Sequence, residues 1–183
     1  MSIKKSDPAE TLTFKNLMES GMSIENVQSR ILRFIARDPE AVYHFAIGTD
    51  SQVHKSETRF VTGVVIHRLG KGAWACYREV NVPRRLMSLK EKLSMETAYS
   101  QEIAYYFAEE ARDRMEHLLL PYIYKGASLE LFIDIDAGTI PLINDTAPFV
   151  QEMVSRVRAL GIYKARVKPD SYVASAYANR YTK

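Results

Sequence analysis

The sequence predicts an α/β fold: a five-stranded mixed sheet, its first three strands antiparallel, with helices on both faces. Three observations predict it. The run Val42 to Ile47 climbs into Gly48-Thr49-Asp50 with apolar character on both faces, as a central strand requires. Two strand-like runs follow, joined by the turn Gly70-Lys71-Gly72, which is the signature of a meander. Beyond residue 88 the apolar period changes from two to that of a helix, and helices then alternate with strands. The order is β-β-β-α-β-α-β-α behind one N-terminal helix.

In chain order, residues 1–13 are polar and aperiodic and are expected to form a flexible N-terminus. Residues 14–183 are expected to form a single domain, a length that supports a real core. Ser23 caps a helix over about 23–37, with Ile24, Val27, Ile31, Phe34 and Ile35 on one stripe, and Asp38-Pro39 ends it. The first strand runs from about Tyr43 to Gln52. Tyr43, Phe45 and Ile47 point one way, and Ala46, Gly48 and Asp50 the other. That second face is made of small side chains, so another element can lie close over it. Phe60 to His67 and Trp74 to Val80 supply the next two strands.

One long helix is expected from Ser88 to about residue 119, with Ser88 as cap and Glu91 as its capping-box partner. Its stripe is Leu89, Leu93, Ser100, Ile103, Ala104, Phe107, Ala111 and Met115, and Glu96 falls on that stripe. Glu91, Glu102, Glu109, Arg112 and Glu116 are better placed on the wet face. A carboxylate aimed at a core is costly unless something pairs it, which makes Glu96 the informative acid of this helix. Pro121 marks the exit. Ser128 to Ile135 alternates as a strand, with Asp134 and Asp136 on its polar face before Ala137-Gly138-Thr139. A helix follows over about Thr146 to Leu160, terminated by Gly161, then a short strand from Ile162 to Val167. Lys168-Pro169-Asp170 opens the last helix, with Val173, Ala174, Tyr177 and Tyr181 inward.

Composition narrows the function. No run of about 18 apolar residues is present, so no membrane span is expected. Met1 to Asp7 lacks the apolar stretch of a signal peptide, and the single cysteine, Cys76, suits a reducing cytoplasm. Cys76 itself reads as a small core residue. The net charge is only +3, but from Arg156 onward the bases are Arg156, Arg158, Lys164, Arg166, Lys168, Arg180 and Lys183 against the single acid Asp170. A basic end around one carboxylate points to a polyanion such as nucleic acid, with Lys164, Arg166, Lys168 and Arg180 as candidate contacts.

Asp50, Glu96, Asp136 and Asp170 stand where a folded domain can bring them together, with Asp134 as a further candidate on the same strand face. A cluster of carboxylates suits hard divalent cations, Mg²⁺ or Mn²⁺, with a two-metal site within reach. Each acid also has a structural reading. Asp50 can make an Asx-turn with Ser51 and Gln52, Glu96 can pair with Arg84 or Arg85, one of Asp134 and Asp136 can be a strand-end or turn residue, and Asp170 can sit at a helix N-terminus. His54, four residues after Asp50, belongs either beside the site or on a surface loop. The tyrosines of the helices suit packing better than base stacking.

The element order and the placement of the acids resemble the ribonuclease H-like superfamily. More narrowly, Ile47-Gly48-Thr49-Asp50-Ser51-Gln52, Glu96-Thr97, Asp134-Ile135-Asp136-Ala137-Gly138 and Lys168-Pro169-Asp170-Ser171-Tyr172-Val173-Ala174-Ser175 resemble the YkuK-type ribonuclease H-like family. The resemblance covers roughly residues 14 to 183 and implies a ribonuclease H-like fold. It also implies a metal core of Asp50, Glu96 and Asp136 with Asp170 as fourth acid, and a metal-dependent nuclease acting on RNA, DNA or a hybrid. Asp136 is preferred to Asp134 because it stands nearer the strand end. Many ribonucleases H carry a histidine before the last helix; here that stretch holds none, and Lys164 or Lys168 stands there as a phosphate contact instead. The alternative is a non-catalytic module of the same fold that binds nucleic acid or protein. Gly48-Thr49-Asp50 also resembles the phosphate loop of actin-like kinases, which need two such domains.

Overall fold

The structure of the protein is a computed structural model that describes residues 12–183. Most of the stretch expected to be flexible therefore lies outside the described residues, but Leu12 is buried in the core. Phe14 is buried too and exchanges backbone hydrogen bonds with Met22, while Lys15 does the same with Tyr77.

Helix α1 (Ile24–Ala36) follows, capped by Ser23, whose hydroxyl accepts from the Asn26 amide while Asn26 reaches back to the Ser23 amide. Strands β1 (Val42–Val53), β2 (Thr58–Arg68) and β3 (Gly72–Val82) form the antiparallel meander. After helices α2 (Leu89–Tyr105) and α3 (Glu110–Leu119) and a 3₁₀ stretch (Leu120–Lys125), β4 (Ser128–Ile135) enters parallel to β1. Helix α4 (Val150–Arg158) leads to β5 (Lys164–Arg166), parallel to β4. The sheet order is β3-β2-β1-β4-β5, so β1 is central, as its two-sided apolar pattern predicts.

One face of the sheet carries the main core, including Phe45, Ile47, Ile133, Leu93, Ile103 and Val157. The terminal helix covers the other face. It starts as a π-helical segment (Val173–Ala178) and ends as α5 (Asn179–Thr182). It approaches because Gly48 and Gly63 have no side chain. A Cβ on Gly48 would lie 2.6 Å from the Ala174 amide nitrogen, and one on Gly63 would lie 2.7 Å from the Tyr177 ring. The small face read from β1 is the seat of this helix.

Four expectations are corrected. The long helix over 88–119 is two helices, interrupted at residues 106–109, where the Tyr106 carbonyl accepts from Gln28 and Phe107 turns inward against Phe45. The capping box at Ser88 is half formed: Ser88 accepts from the Glu91 amide, but the Glu91 carboxylate pairs with Arg84 at 2.5 Å. The strand over 162–167 shortens to three residues. The inward face of the terminal helix is Val173, Ala174, Ala178 and Thr182, whereas Tyr177 and Tyr181 are only partly buried. The wide π turns cause this shift, since each adds a residue per turn and moves the buried face one position on.

Candidate carboxylate site at the ends of β1 and β4

Thr49 of β1 is in register with Ile135 of β4, so the next step along both parallel strands brings Asp50 beside Asp136 on the terminal-helix face. Asp50 is 8% exposed, and its Oδ2 accepts from the Thr182 hydroxyl at 2.9 Å. Glu96 comes from the opposite side of the sheet. It is 7% exposed and accepts from the Ser51 hydroxyl at 2.5 Å. Beneath it Thr49 bonds to Ser100 at 2.8 Å and to Thr62 at 2.9 Å, a buried hydroxyl chain that ties α2 to β1 and β2. Asp136 faces Lys168, whose Nζ lies 2.9 Å from Oδ1, although that oxygen makes no hydrogen bond of good angle.

Asp50, Glu96 and Asp136 thus lie at one end of the sheet, close enough that Asp136 acts on both other carboxyls and Asp50 acts on Glu96. Asp134 stands apart from them. Its side chain is fully buried (0% exposed), grips Arg166 at 2.6 and 3.0 Å, and accepts from the Val173 amide at 2.8 Å. Asp170 is exposed; it precedes the terminal helix, and its charge is felt at Asp134. Among the basic candidates, Lys164 pairs with Glu130 and Arg180 is exposed. Arg166 is sandwiched between the rings of Phe132 and Tyr172, its centre 4.2 and 4.6 Å from their centroids. His54 lies against the site's edge, Nε2 at 3.2 Å from the Thr182 carbonyl oxygen. The sequence offers Ser51 as a turn partner of Asp50 and gives no role to Thr182, yet Ser51 orients Glu96 and Thr182 orients Asp50. Ser51 shares its strand face with Thr49, a pairing visible in the alternation; Thr182 had no signal, because the π turns put it in place.

The electrostatics of the trio suit a cation. Burial, opposed by the Thr182 hydroxyl and reinforced by the charge of Asp136, pushes the Asp50 carboxyl up to about 6. Burial, opposed by Ser51 and reinforced by Asp50 and Asp136, pushes Glu96 up to about 8. Among the described residues no three or more His, Cys, Asp and Glu side chains form a ready metal cage. Mg²⁺ nonetheless takes one or two carboxylates and completes its shell with water and substrate phosphate. Asp50 and Asp136 are hard oxygen donors, and Asp136 has a buried Oδ1 that lacks a hydrogen bond, so the two fit that description.

A pH dependence follows. The folded-state pKa of Glu96 is raised from 4.5, so the folded protein holds a proton that the unfolded chain has released. Stability from this group falls as pH rises from about 4.5, and the loss is complete above about 8. Asp50 acts in the same direction from 3.8 to about 6. His44, whose pKa burial lowers from 6.5, acts in the opposite direction, so the comparison is best made by difference. With chelator present, Glu96→Gln is expected to match wild type in urea unfolding at pH 5 and to exceed it by about 1–3 kcal/mol at pH 8.5. A variant equally or less stable at pH 8.5 would contradict the burial of an ionisable Glu96.

The family described as "Ribonuclease H-like" matches residues 26–183. The chain is also similar to the uncharacterized protein YkuK of Bacillus subtilis (strain 168), with 43% identity over 175 residues that cover 96% of this chain and 99% of that protein. No solved structure matches.

Proposed function

The chain belongs to the ribonuclease H-like family, and on that premise we propose that it is a divalent-metal-dependent nuclease cleaving phosphodiester bonds in RNA, DNA or a hybrid. The observation that supports this most is the meeting of Asp50, Glu96 and Asp136 at the ends of two parallel strands, with two of the three held well above the ordinary carboxylate range. Open sheets bind ligands beyond the carboxyl ends of such strands.

In this reading Asp50 and Asp136 hold the cation from the sheet and Glu96 supplies the third charge from α2. Bound there, Mg²⁺ or Mn²⁺ would activate a water and stabilise charge on the phosphate oxygens. Ser51 and Thr182 fix the rotamers of Glu96 and Asp50, so the carboxylates are oriented before any substrate arrives. Asp134, committed to Arg166 and the Val173 amide, anchors the terminal helix instead of coordinating. Asp170 is assigned no coordinate bond.

The test is direct. Wild-type protein stripped with chelator is given Mg²⁺ or Mn²⁺ and labelled single-stranded RNA, DNA, duplex and hybrid. Cleavage of at least one substrate that needs the added cation is the expected result. Salt-dependent binding of nucleic acid without cleavage under either metal would instead make the protein a binding module.

A further inference from the structure

We propose that Lys168 is a tethered counter-ion of the carboxylate site, seated on Asp136 when no divalent cation is bound and displaced when one enters. The inference rests on the metal-site reading above and adds how that site is kept neutral and how it is opened.

Two acids, Asp134 and Asp136, stand two residues apart at the end of β4. Asp134 and Asp136 each face one base, Arg166 at the end of β5 and Lys168 two residues beyond it, and the two pairs are built differently. Arg166 makes two hydrogen bonds to Asp134, its guanidinium lies between two rings, and its side chain is 13% exposed. It cannot leave without abandoning all of these contacts. Among the described residues Lys168 pairs with one acid, Asp136, through a 2.9 Å approach to Oδ1 that lacks hydrogen-bond geometry, and its side chain is 45% exposed. Its backbone is fixed, because the Lys168 amide donates to the Ala137 carbonyl at 2.9 Å. A fixed main chain with a free, flexible side chain lets the ammonium swing into water without disturbing the fold.

The oxygen it covers is the one a cation would want. Asp136 Oδ1 is buried and has no hydrogen bond to lose, and the charge of Asp136 is felt by both Asp50 and Glu96. An ammonium near this oxygen relieves the crowding of three acids, and a divalent cation at the same place would repel the ammonium across a few Å. The two therefore compete for one carboxylate, and the lysine sets a threshold concentration of cation.

Binding of Mn²⁺ to the full chelator-stripped chain, followed by calorimetry or by the spin-resonance signal of free Mn²⁺, tests this. Lys168→Met is expected to bind Mn²⁺ roughly three- to tenfold more tightly than wild type. Lys168→Arg, which keeps the charge, is expected to stay near wild type. Equal or weaker binding by Lys168→Met would overturn the counter-ion role while leaving the metal site standing. Absence of Mn²⁺ binding in both wild type and Lys168→Met would overturn the metal site and the proposed function together. Should Lys168→Met fail to fold, Lys168→Gln gives the same comparison with a polar head and no charge.

Discussion

Asp50→Asn is expected to lower the proposed metal-dependent phosphodiester cleavage by about a thousandfold or more while leaving the protein folded. The loss follows from the geometry. Asp50 is the acid of the trio on the central strand, and it stands beside both Asp136 and Glu96. Asparagine keeps the shape and can still accept the Thr182 hydroxyl, which now reaches Asp50 at 2.9 Å. What it removes is a negative charge, and a neutral amide is a poor ligand for Mg²⁺. The same substitution takes one charge out of a buried, mutually repelling group, so with chelator present the variant is expected to melt at or above the wild-type temperature at pH 8. Added Mn²⁺ should raise the melting temperature of wild type alone, since a ligand stabilises only the state that binds it. An active Asp50→Asn protein, or equal stabilisation of both by Mn²⁺, would remove Asp50 from the site.

How far this site could be read from the sequence depended on which periodicity carried each residue. Strand alternation placed Asp50 opposite Ile47 and beside Gly48, and the structure keeps that division, with the small face under the terminal helix. Helical spacing placed Glu96 among buried residues, and it is buried; its partner is Ser51, not an arginine of the 84–85 pair. The break between α2 and α3 left no trace, because Ala104, Phe107, Ala111 and Met115 continue the stripe across it without glycine or proline. The π segment was hidden for a related reason. Its sequence, Val173 to Ala178, reads equally well as an ordinary helix, and only packing against Gly48 and Gly63 reveals the extra residue per turn. Thr182, which that shift turns toward Asp50, could not be found from a 3.6-residue period. Partner choice was equally unreadable. Arg166 and Lys168 look alike in a list of bases, yet one is locked to Asp134 and the other leans on Asp136.

That difference makes Arg166 the position where truncation should cost the fold most. Arg166→Ala is expected to destabilise the protein by about 3–5 kcal/mol, read as a lower urea midpoint with an unchanged slope. The cost is not the strength of the salt bridge, which desolvation largely cancels. It is the carboxylate left behind: Asp134 has a fully buried side chain, and without Arg166 it retains the Val173 amide as its remaining hydrogen-bond donor among the described residues. Burial already pushes Asp134 above the usual carboxylate range with the guanidinium in place, so the truncated protein would have to protonate it or admit water. The flat guanidinium also fills the space between Phe132 and Tyr172, and alanine would leave that space empty. The double variant Asp134→Leu, Arg166→Met removes both charges while keeping volume, and it is expected to recover most of the loss. A single truncation costing under about 1 kcal/mol would place the pair among ordinary surface ion pairs. The consequence for the site runs through the terminal helix. Asp134 holds its first turn at Val173, and its last turn brings Thr182 to Asp50, so loosening the first releases the second. Arg166→Ala should therefore weaken Mn²⁺ binding as well as stability, although Arg166 itself touches none of the three acids that would hold the cation.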